Sequence, residues 1–230
     1  MKIAMITARG GSKRIPRKNI KEFCGRPILS YSIEAALESG VFDEVMISTE
    51  DEEIAKIAQE YGAALPFYRS EEMAGDHVMT IDVILDVVNE YRKRGKDPDT
   101  VCCIYPTAPF VTAEKLRNAD ELFRTGGADA IIPVVRFSFP PQRCFVVEDG
   151  FMHYKWPQYE LTRSQDLEPW YHDAGQFYFI KTDAMEKQHT LVPEKTCPLV
   201  MDEMEVQDID TMDDWRLAEI KYQAMVNKDR

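Results

Sequence analysis

The sequence predicts an α/β fold of three layers, a mostly parallel sheet with helices on both faces. Three observations predict it. Apolar runs alternate with stretches of helical period from the start of the chain to about residue 135. The runs are apolar throughout rather than at every second residue, as strands buried on both faces must be. The loop after the first run gathers cations and two adjacent glycines, in the position where such sheets collect phosphates.

Taken in order, Ile3-Ala4-Met5-Ile6 reads as the first strand. Pro27 opens a helix whose apolar stripe is Ile28, Leu29, Ile33, Ala36 and Leu37. Val45-Met46-Ile47-Ser48 is the second strand; the stripe Ile54, Ile57, Ala58, Tyr61 follows, with Gly62 where a C-terminal cap belongs. A third helix carries Ile81, Ile84, Leu85, Val88 and Tyr91. Val101 to Tyr105 is a further strand, Leu116, Ala119, Leu122 and Phe123 mark a fourth helix, and Ala130 to Val135 ends this half as a strand. The pattern breaks at Phe137-Ser138-Phe139-Pro140-Pro141-Gln142-Arg143. Residues 137–171 are rich in aromatics, prolines and charge without helical period, and read as an arm within a single domain of residues 1–230. Order returns at Gln176 to Ile180, and Val206-Gln207-Asp208-Ile209 is the last strand signal. Thr211 then caps a final helix with Asp214 three residues on and the stripe Trp215, Ala218, Tyr222, Met225.

Composition narrows the function. The chain carries 40 acidic against 28 basic residues, a net charge of −12, which argues against general nucleic-acid binding. No apolar stretch approaches bilayer length and no basic-then-apolar leader opens the chain, so a cytoplasmic protein without a membrane partner is expected. The cysteines, Cys24, Cys102, Cys103, Cys144 and Cys197, show no CxxC spacing and read as reduced structural thiols; Cys102 and Cys103 are strand neighbours and point to opposite faces. The four histidines have no metal-ligand spacing.

The first loop runs Ala8-Arg9-Gly10-Gly11-Ser12-Lys13-Arg14-Ile15-Pro16-Arg17-Lys18-Asn19. Glycines at 10 and 11 would let backbone N–H groups converge on an anion, while Arg9, Lys13 and Lys18 supply charge-assisted bonds. The plainer reading is a solvated basic loop. GxGxxG and GxxxxGK[ST] are both absent, so neither nicotinamide chemistry nor P-loop hydrolysis is indicated. Asp208 and Asp210 stand two apart in the last strand signal, an arrangement that lets both carboxylates face one hard cation such as magnesium; alternatively Asp210 belongs only to the cap of the following helix.

These segments carry a resemblance. Arg9 to Lys13 with Lys18-Asn19, Tyr105-Pro106-Thr107-Ala108-Pro109 and Asp208-Ile209-Asp210 are similar to the CMP-sialic acid synthetase family, the cytidylyltransferases that activate nonulosonic acids. Phe139 to Arg143, Arg163-Ser164-Gln165-Asp166 and Tyr171 to Tyr178 resemble the branch that acts on pseudaminic acid. The resemblance implies a Rossmann-like nucleotidyltransferase architecture with an inserted dimerisation arm, and transfer of CMP from CTP to the anomeric hydroxyl of a nine-carbon acidic sugar with loss of pyrophosphate. It implies that Arg9, Ser12 and Lys18 hold the triphosphate, that Ala8, Gly10, Gly11 and Asn19 lie along the nucleotide, and that Arg69, Asp76 and Thr80 line the nucleotide side. Asp208 and Asp210 would bind Mg2+, and Arg163 would meet the sugar carboxylate. Tyr171, Gln176 and Phe177 either pack against the sugar or fill the core. The proton acceptor is left between a carboxylate such as Asp210 and a hydroxide on the metal.

One departure bears on specificity. Sialic acid enzymes carry a glutamine where this chain has Tyr105, which favours a sugar other than N-acetylneuraminic acid; N-acetylneuraminic and legionaminic acids are the alternatives within the family. A non-catalytic nucleotide-binding scaffold is the alternative outside it. The arm is the element through which a homodimer is expected, with Phe151, Tyr154 and Trp156 either at the interface or folded back on their own subunit.

Overall fold

The computed structural model describes residues 1–228, so Asp229 and Arg230, the last two positions of the predicted 1–230 domain, lie outside the described residues. Strand β1 (Lys2–Thr7) leads through the cation loop to a two-residue hairpin, β2 (Glu22–Phe23) and β3 (Arg26–Pro27), and into α1 (Ile28–Ser39). The chain continues through β4 (Glu44–Ser48), α2 (Glu52–Glu60), α3 (Thr80–Lys93), β5 (Thr100–Ile104), α4 (Ala113–Thr125) and β6 (Ala130–Arg136). A hairpin of β7 (Phe145–Glu148) and β8 (Phe151–Tyr154) follows, then β9 (Tyr171–Asp173), β10 (Phe177–Lys181), α5 (Thr182–Gln188), β11 (Thr196–Met201) and α6 (Met212–Lys228).

The main sheet has the order β11-β6-β10-β5-β1-β4, with β9 also pairing β6. β1 is parallel to both β4 and β5, and β11 is parallel to β6. Only β10 and β9 run antiparallel, β10 between β5 and β6. The predicted mostly parallel α/β sheet is therefore what the chain forms. Its strands bury both faces: Ala4, Ile6, Cys102 and Ile104 pack beneath α1, α2 and α4, while Ile3, Met5, Val101 and Cys103 pack beneath α3 and α5. Period-two alternation thus divides each apolar strand between two cores. A third cluster seats α6 against the β2–β3 hairpin, with Trp215 edge-on to Phe23. The five cysteines are free, and burial pushes the Cys103 thiol up to about 12.

Two expectations need correction, and β11 and α5 were not predicted. Val206–Ile209 is not a strand: β11, which the sequence reading missed, already forms that edge of the sheet. Pro198 inside β11 hid it, and an edge strand is where a proline can stand because its missing donor costs no ladder bond. Helix α5 is short and its apolar positions, Ala184 and Met185, are too few to read as a stripe. Leu37 and Leu122, assigned to apolar stripes, are exposed at helix margins. Among the described residues, no helix is long and apolar enough to cross a membrane.

Candidate active site

The cation loop is held down before it can bind anything. Gly10 donates its N–H to Glu50 Oε1 at 2.6 Å, and a Cβ built on Gly10 would stand 2.6 Å from Asp51 Oδ2. Asp51 is itself clamped by Arg17, whose Nη2 lies 2.9 Å from Oδ1, and caps α2 by accepting from the Ile54 N–H at 3.0 Å. Arg17 takes a left-handed φ of 53°, a conformation uncommon outside glycine that the paired carboxylates of Asp51 and Glu53 keep in place. Asn19, buried, donates Nδ2 to the Arg9 carbonyl at 2.8 Å and closes the loop. Gly10 is therefore required for close packing against α2, and its amide already has an acceptor. Nothing lies within 4 Å of a Cβ at Gly11.

The acidic pair is positioned from the other end of the chain. Thr211 and Asp214 form a reciprocal cap on α6: the Asp214 N–H donates to Thr211 Oγ1 at 3.2 Å, and Asp214 Oδ2 accepts from the N–H groups of Thr211 at 2.7 Å and Asp210 at 3.1 Å. Upstream, the extended segment has no neighbouring strand among the described residues, and side chains supply its partners. Lys18 Nζ donates to the Ile209 carbonyl at 2.7 Å, Lys221 Nζ to Val206 at 2.8 Å and Gln176 Nε2 to Glu205 at 2.6 Å. Lys18 thereby ties the first loop to the acidic segment. Asp210 also accepts from Arg14 at 2.7 Å and stands 3.7 Å from Lys18; Arg14 had no assigned role, although it sits in the same cation run.

A cavity of about 670 Å³ opens between these two supports. Arg9, Ser12, Lys13, Lys18, Asn19, Arg69, Asp76, Thr80, Tyr105, Asp208 and Asp210 of the predicted set line it, together with Arg14. Five cations against three carboxylates make it the basic spot on an acidic protein. Arg9 pairs with Asp76 at 2.8 Å, and Lys13 with the same carboxylate, which holds that carboxyl below its usual range, first through the Lys13 bond. Arg69 is buried and bridges the two strands at the rim, from Nε to Ser48 Oγ at 3.0 Å and from Nη2 to Thr7 Oγ1 at 2.7 Å. Among the described residues no carboxylate pairs with it. Burial pulls its pKa down, with the nearby Glu50 charge offsetting part of that, so an anion in the cavity would meet a buried guanidinium that has no carboxylate in ion-pair contact.

A second cavity of about 540 Å³ adjoins the first, and Tyr105 and Asp208 line both. Its other walls come from the end of β6, from β9 and β10, and from α6: Arg136, His172, Asp173, Tyr178 and Lys221. Sequence reading gave none of these five a role, although His172, Asp173 and Tyr178 lie in the Tyr171–Tyr178 segment that carries the family resemblance; they are brought together by the antiparallel return of β9–β10 across β6. Tyr178 donates its hydroxyl to Asp173, and burial, then Tyr105 and Asp173, push its pKa well up. Burial likewise raises Tyr105, so both phenols stay protonated.

Seven predicted positions lie outside the two cavities. Ala8 and Phe177 are fully buried in the core beneath α1, α2 and α4. Gln176 is buried with its amide on Glu205, and it supports the acidic segment from behind. Gly10 and Gly11 form the loop's spine. Tyr171 is exposed in β9, and Arg163 is 75% exposed and paired with Asp166 at 3.0 Å.

Comparison with known proteins fits this geometry. The family profile described as cytidylyltransferase matches residues 3–198, a span that holds the cation loop, Arg69 and Tyr105 and stops short of Asp208. The chain is 39% identical over 223 residues to the pseudaminic acid cytidylyltransferase of Campylobacter jejuni subsp. jejuni serotype O:2, covering 96% of each chain. It is 32% identical over 238 residues to the CMP-N,N'-diacetyllegionaminic acid synthase of Legionella pneumophila, covering 97% of this chain and 99% of that one. Among solved structures, a CMP:2-keto-3-deoxy-manno-octonic acid synthetase complexed with CTP superposes with a TM-score of 0.67 at 16% identity, over 100% of this chain and 99% of that one, a likeness of fold.

Proposed function

The chain belongs to the cytidylyltransferase family, and from that premise we propose that it is a CTP-dependent enzyme that transfers CMP to the anomeric hydroxyl of pseudaminic acid and releases pyrophosphate. The observation that carries this reading is the pair of adjoining cavities, one lined by cations, that meet at Tyr105 and Asp208. The nucleotide takes the first cavity and the sugar the second. The anomeric hydroxyl gives up its proton, with Asp210 as the proposed acceptor, and its oxygen forms a bond to the α-phosphorus as the α–β phosphoanhydride bond breaks. Negative charge spreads over the α-phosphate oxygens and the departing pyrophosphate, where Arg9, Lys13, Lys18 and Arg69 stabilise it. Asp76, which pairs Arg9 and Lys13, gives way to the triphosphate on binding.

Two carboxylates on one cavity, Asp208 and Asp210, suit magnesium, which takes hard oxygen ligands and shares substrate phosphates. Among the described residues, no group of three or more His, Cys, Asp or Glu side chains could hold a metal. When bound, the ion would neutralise phosphate charge and orient the α-phosphate. Asp208 has no ion-pair partner among the described residues, whereas Arg14 and Lys18 attend Asp210. The proposed enzyme works in the cytoplasm, where CTP is made. It works as a homodimer, a reading supported by exposed apolar side chains on residues 137–171, with Phe139 87% and Phe151 79% exposed.

The test is pyrophosphate release from CTP and magnesium, with pseudaminic, legionaminic and N-acetylneuraminic acids offered separately and with Asp208→Ala as control. Release with pseudaminic acid, lost in the variant by on the order of 100-fold or more, is expected. Release with legionaminic acid alone would move the assignment to the branch of the Legionella relative. Release that is indifferent to Asp208 would remove it from the chemistry.

A further inference from the structure

We propose that Arg136, at the carboxyl end of β6, is the group that binds the carboxylate of the acid sugar and so sets which way its anomeric oxygen faces. The inference rests on the proposed reaction and deepens it. An acid sugar entering the second cavity meets three carboxylates, Asp173, Glu203 and Asp208, so a cation is needed to hold it there. Three cationic or titratable basic side chains line that cavity, and two are already engaged. Lys221 donates to the carbonyls of Val206 at 2.8 Å and Glu203 at 3.1 Å. His172 packs at a tilt against Phe137 with ring centroids 4.7 Å apart, and its Nδ1 lies 2.9 Å from the Asp173 carbonyl. Arg136 forms neither an ion pair nor a side-chain hydrogen bond with any of the described residues. Its backbone is fixed all the same, because Arg136 pairs with Tyr171 across β6–β9 and the next residue, Phe137, donates to the Trp170 carbonyl at 3.0 Å.

A guanidinium that is anchored at its Cα and unoccupied at its fork, at the end of a strand where α/β sheets bind ligands, matches a carboxylate bidentately. In a nonulosonic acid the carboxylate sits on the anomeric carbon itself. Gripping it from β6 therefore fixes the neighbouring hydroxyl relative to the first cavity, at the junction lined by Tyr105 and Asp208. Arg163, the position implied by family resemblance, is held by Asp166 outside the cavity.

The experiment follows pyrophosphate release, varying the sugar at saturating CTP and varying CTP at saturating sugar, for the wild type, Arg136→Met, Arg136→Lys and Arg163→Met. Each is offered pseudaminic acid and the same sugar with its carboxylate reduced to the alcohol. Arg136→Met should raise KM for the acid sugar about 10- to 100-fold, leave KM for CTP unchanged, and make no difference with the alcohol. Arg136→Lys should recover part of the loss, since the charge remains but the fork does not. An unchanged KM for the acid sugar in Arg136→Met, or an equal rise for acid and alcohol, would overturn the assignment. The same signature in Arg163→Met but not in Arg136→Met would move it to Arg163. A wild type silent with every nonulosonic acid would overturn the proposed reaction and this assignment together, whereas an active wild type with an indifferent Arg136 would overturn this assignment alone.

Discussion

Gly10 and Gly11 are neighbours with opposite constraints. A methyl group at position 10 would meet Asp51 Oδ2 at 2.6 Å, whereas one at position 11 meets nothing within 4 Å. Gly10→Ala should displace Asp51 from Arg17 and cost about 1–3 kcal/mol of stability, and Gly11→Ala should be near neutral, as thermal unfolding would read. Asp51 itself gives a pH signature. The Arg17 hydrogen bond holds its carboxyl at about 2, below the ordinary 3.8. A carboxyl lowered on folding contributes stability above its unfolded pKa and loses it as pH falls towards the folded one, here between about 4 and 2. With solvent screening of a pair whose Arg17 side chain is 38% exposed, that contribution is on the order of 1–2 kcal/mol. Asp51→Asn should remove it at neutral pH and flatten the acid limb of the stability curve over that window. Sequence pattern singled out the glycine pair but assigned it to anion binding. The carboxylates of Glu50 and Asp51 that occupy the space come from beyond β4, and no local pattern in the loop encodes them.

At the level of elements, the cap on α6 was readable because Thr211 and Asp214 stand three apart ahead of an apolar stripe, and every atom of that motif is local. The segment before it was not, since Val206 and Ile209 are buried like strand residues while their carbonyls are satisfied by Lys221 and Lys18 from distant elements. Burial is legible in composition; the source of the hydrogen bonds is not. The even spacing of Asp208 and Asp210 still brought both to one cavity. The cap has a functional consequence, because Asp214 Oδ2 also fixes the Asp210 amide. Thr211→Ala should cost about 1 kcal/mol of stability and lower turnover about 10-fold with little change in KM for CTP. Equal turnover in that variant would show that the cap supports only the helix.

For the whole molecule, local pattern reached the parallel half of the sheet and, in the first cavity, the cation loop, Tyr105 and the acidic pair, while family resemblance added Arg69. Of the second cavity it reached Tyr105 and Asp208; the other walls depend on β9–β10 crossing β6 antiparallel and on α6 closing from the far end of the chain. Assembly belongs to this scale too. The β7–β8 hairpin leaves Phe151 79% and Val147 70% exposed, side chains that a partner subunit would cover. Light scattering should give twice the 26.5 kDa of one chain, and Phe151→Lys should shift the population towards that single-chain mass; a wild type at one chain's mass would refute the dimer. The most direct measurement of the central claim is a competition: CTP and magnesium with equal amounts of pseudaminic and N-acetylneuraminic acids, the product identified by its mass. CMP-pseudaminic acid in large excess is the predicted result, and CMP-N-acetylneuraminic acid as the main product, or no CMP-sugar at all, would contradict it.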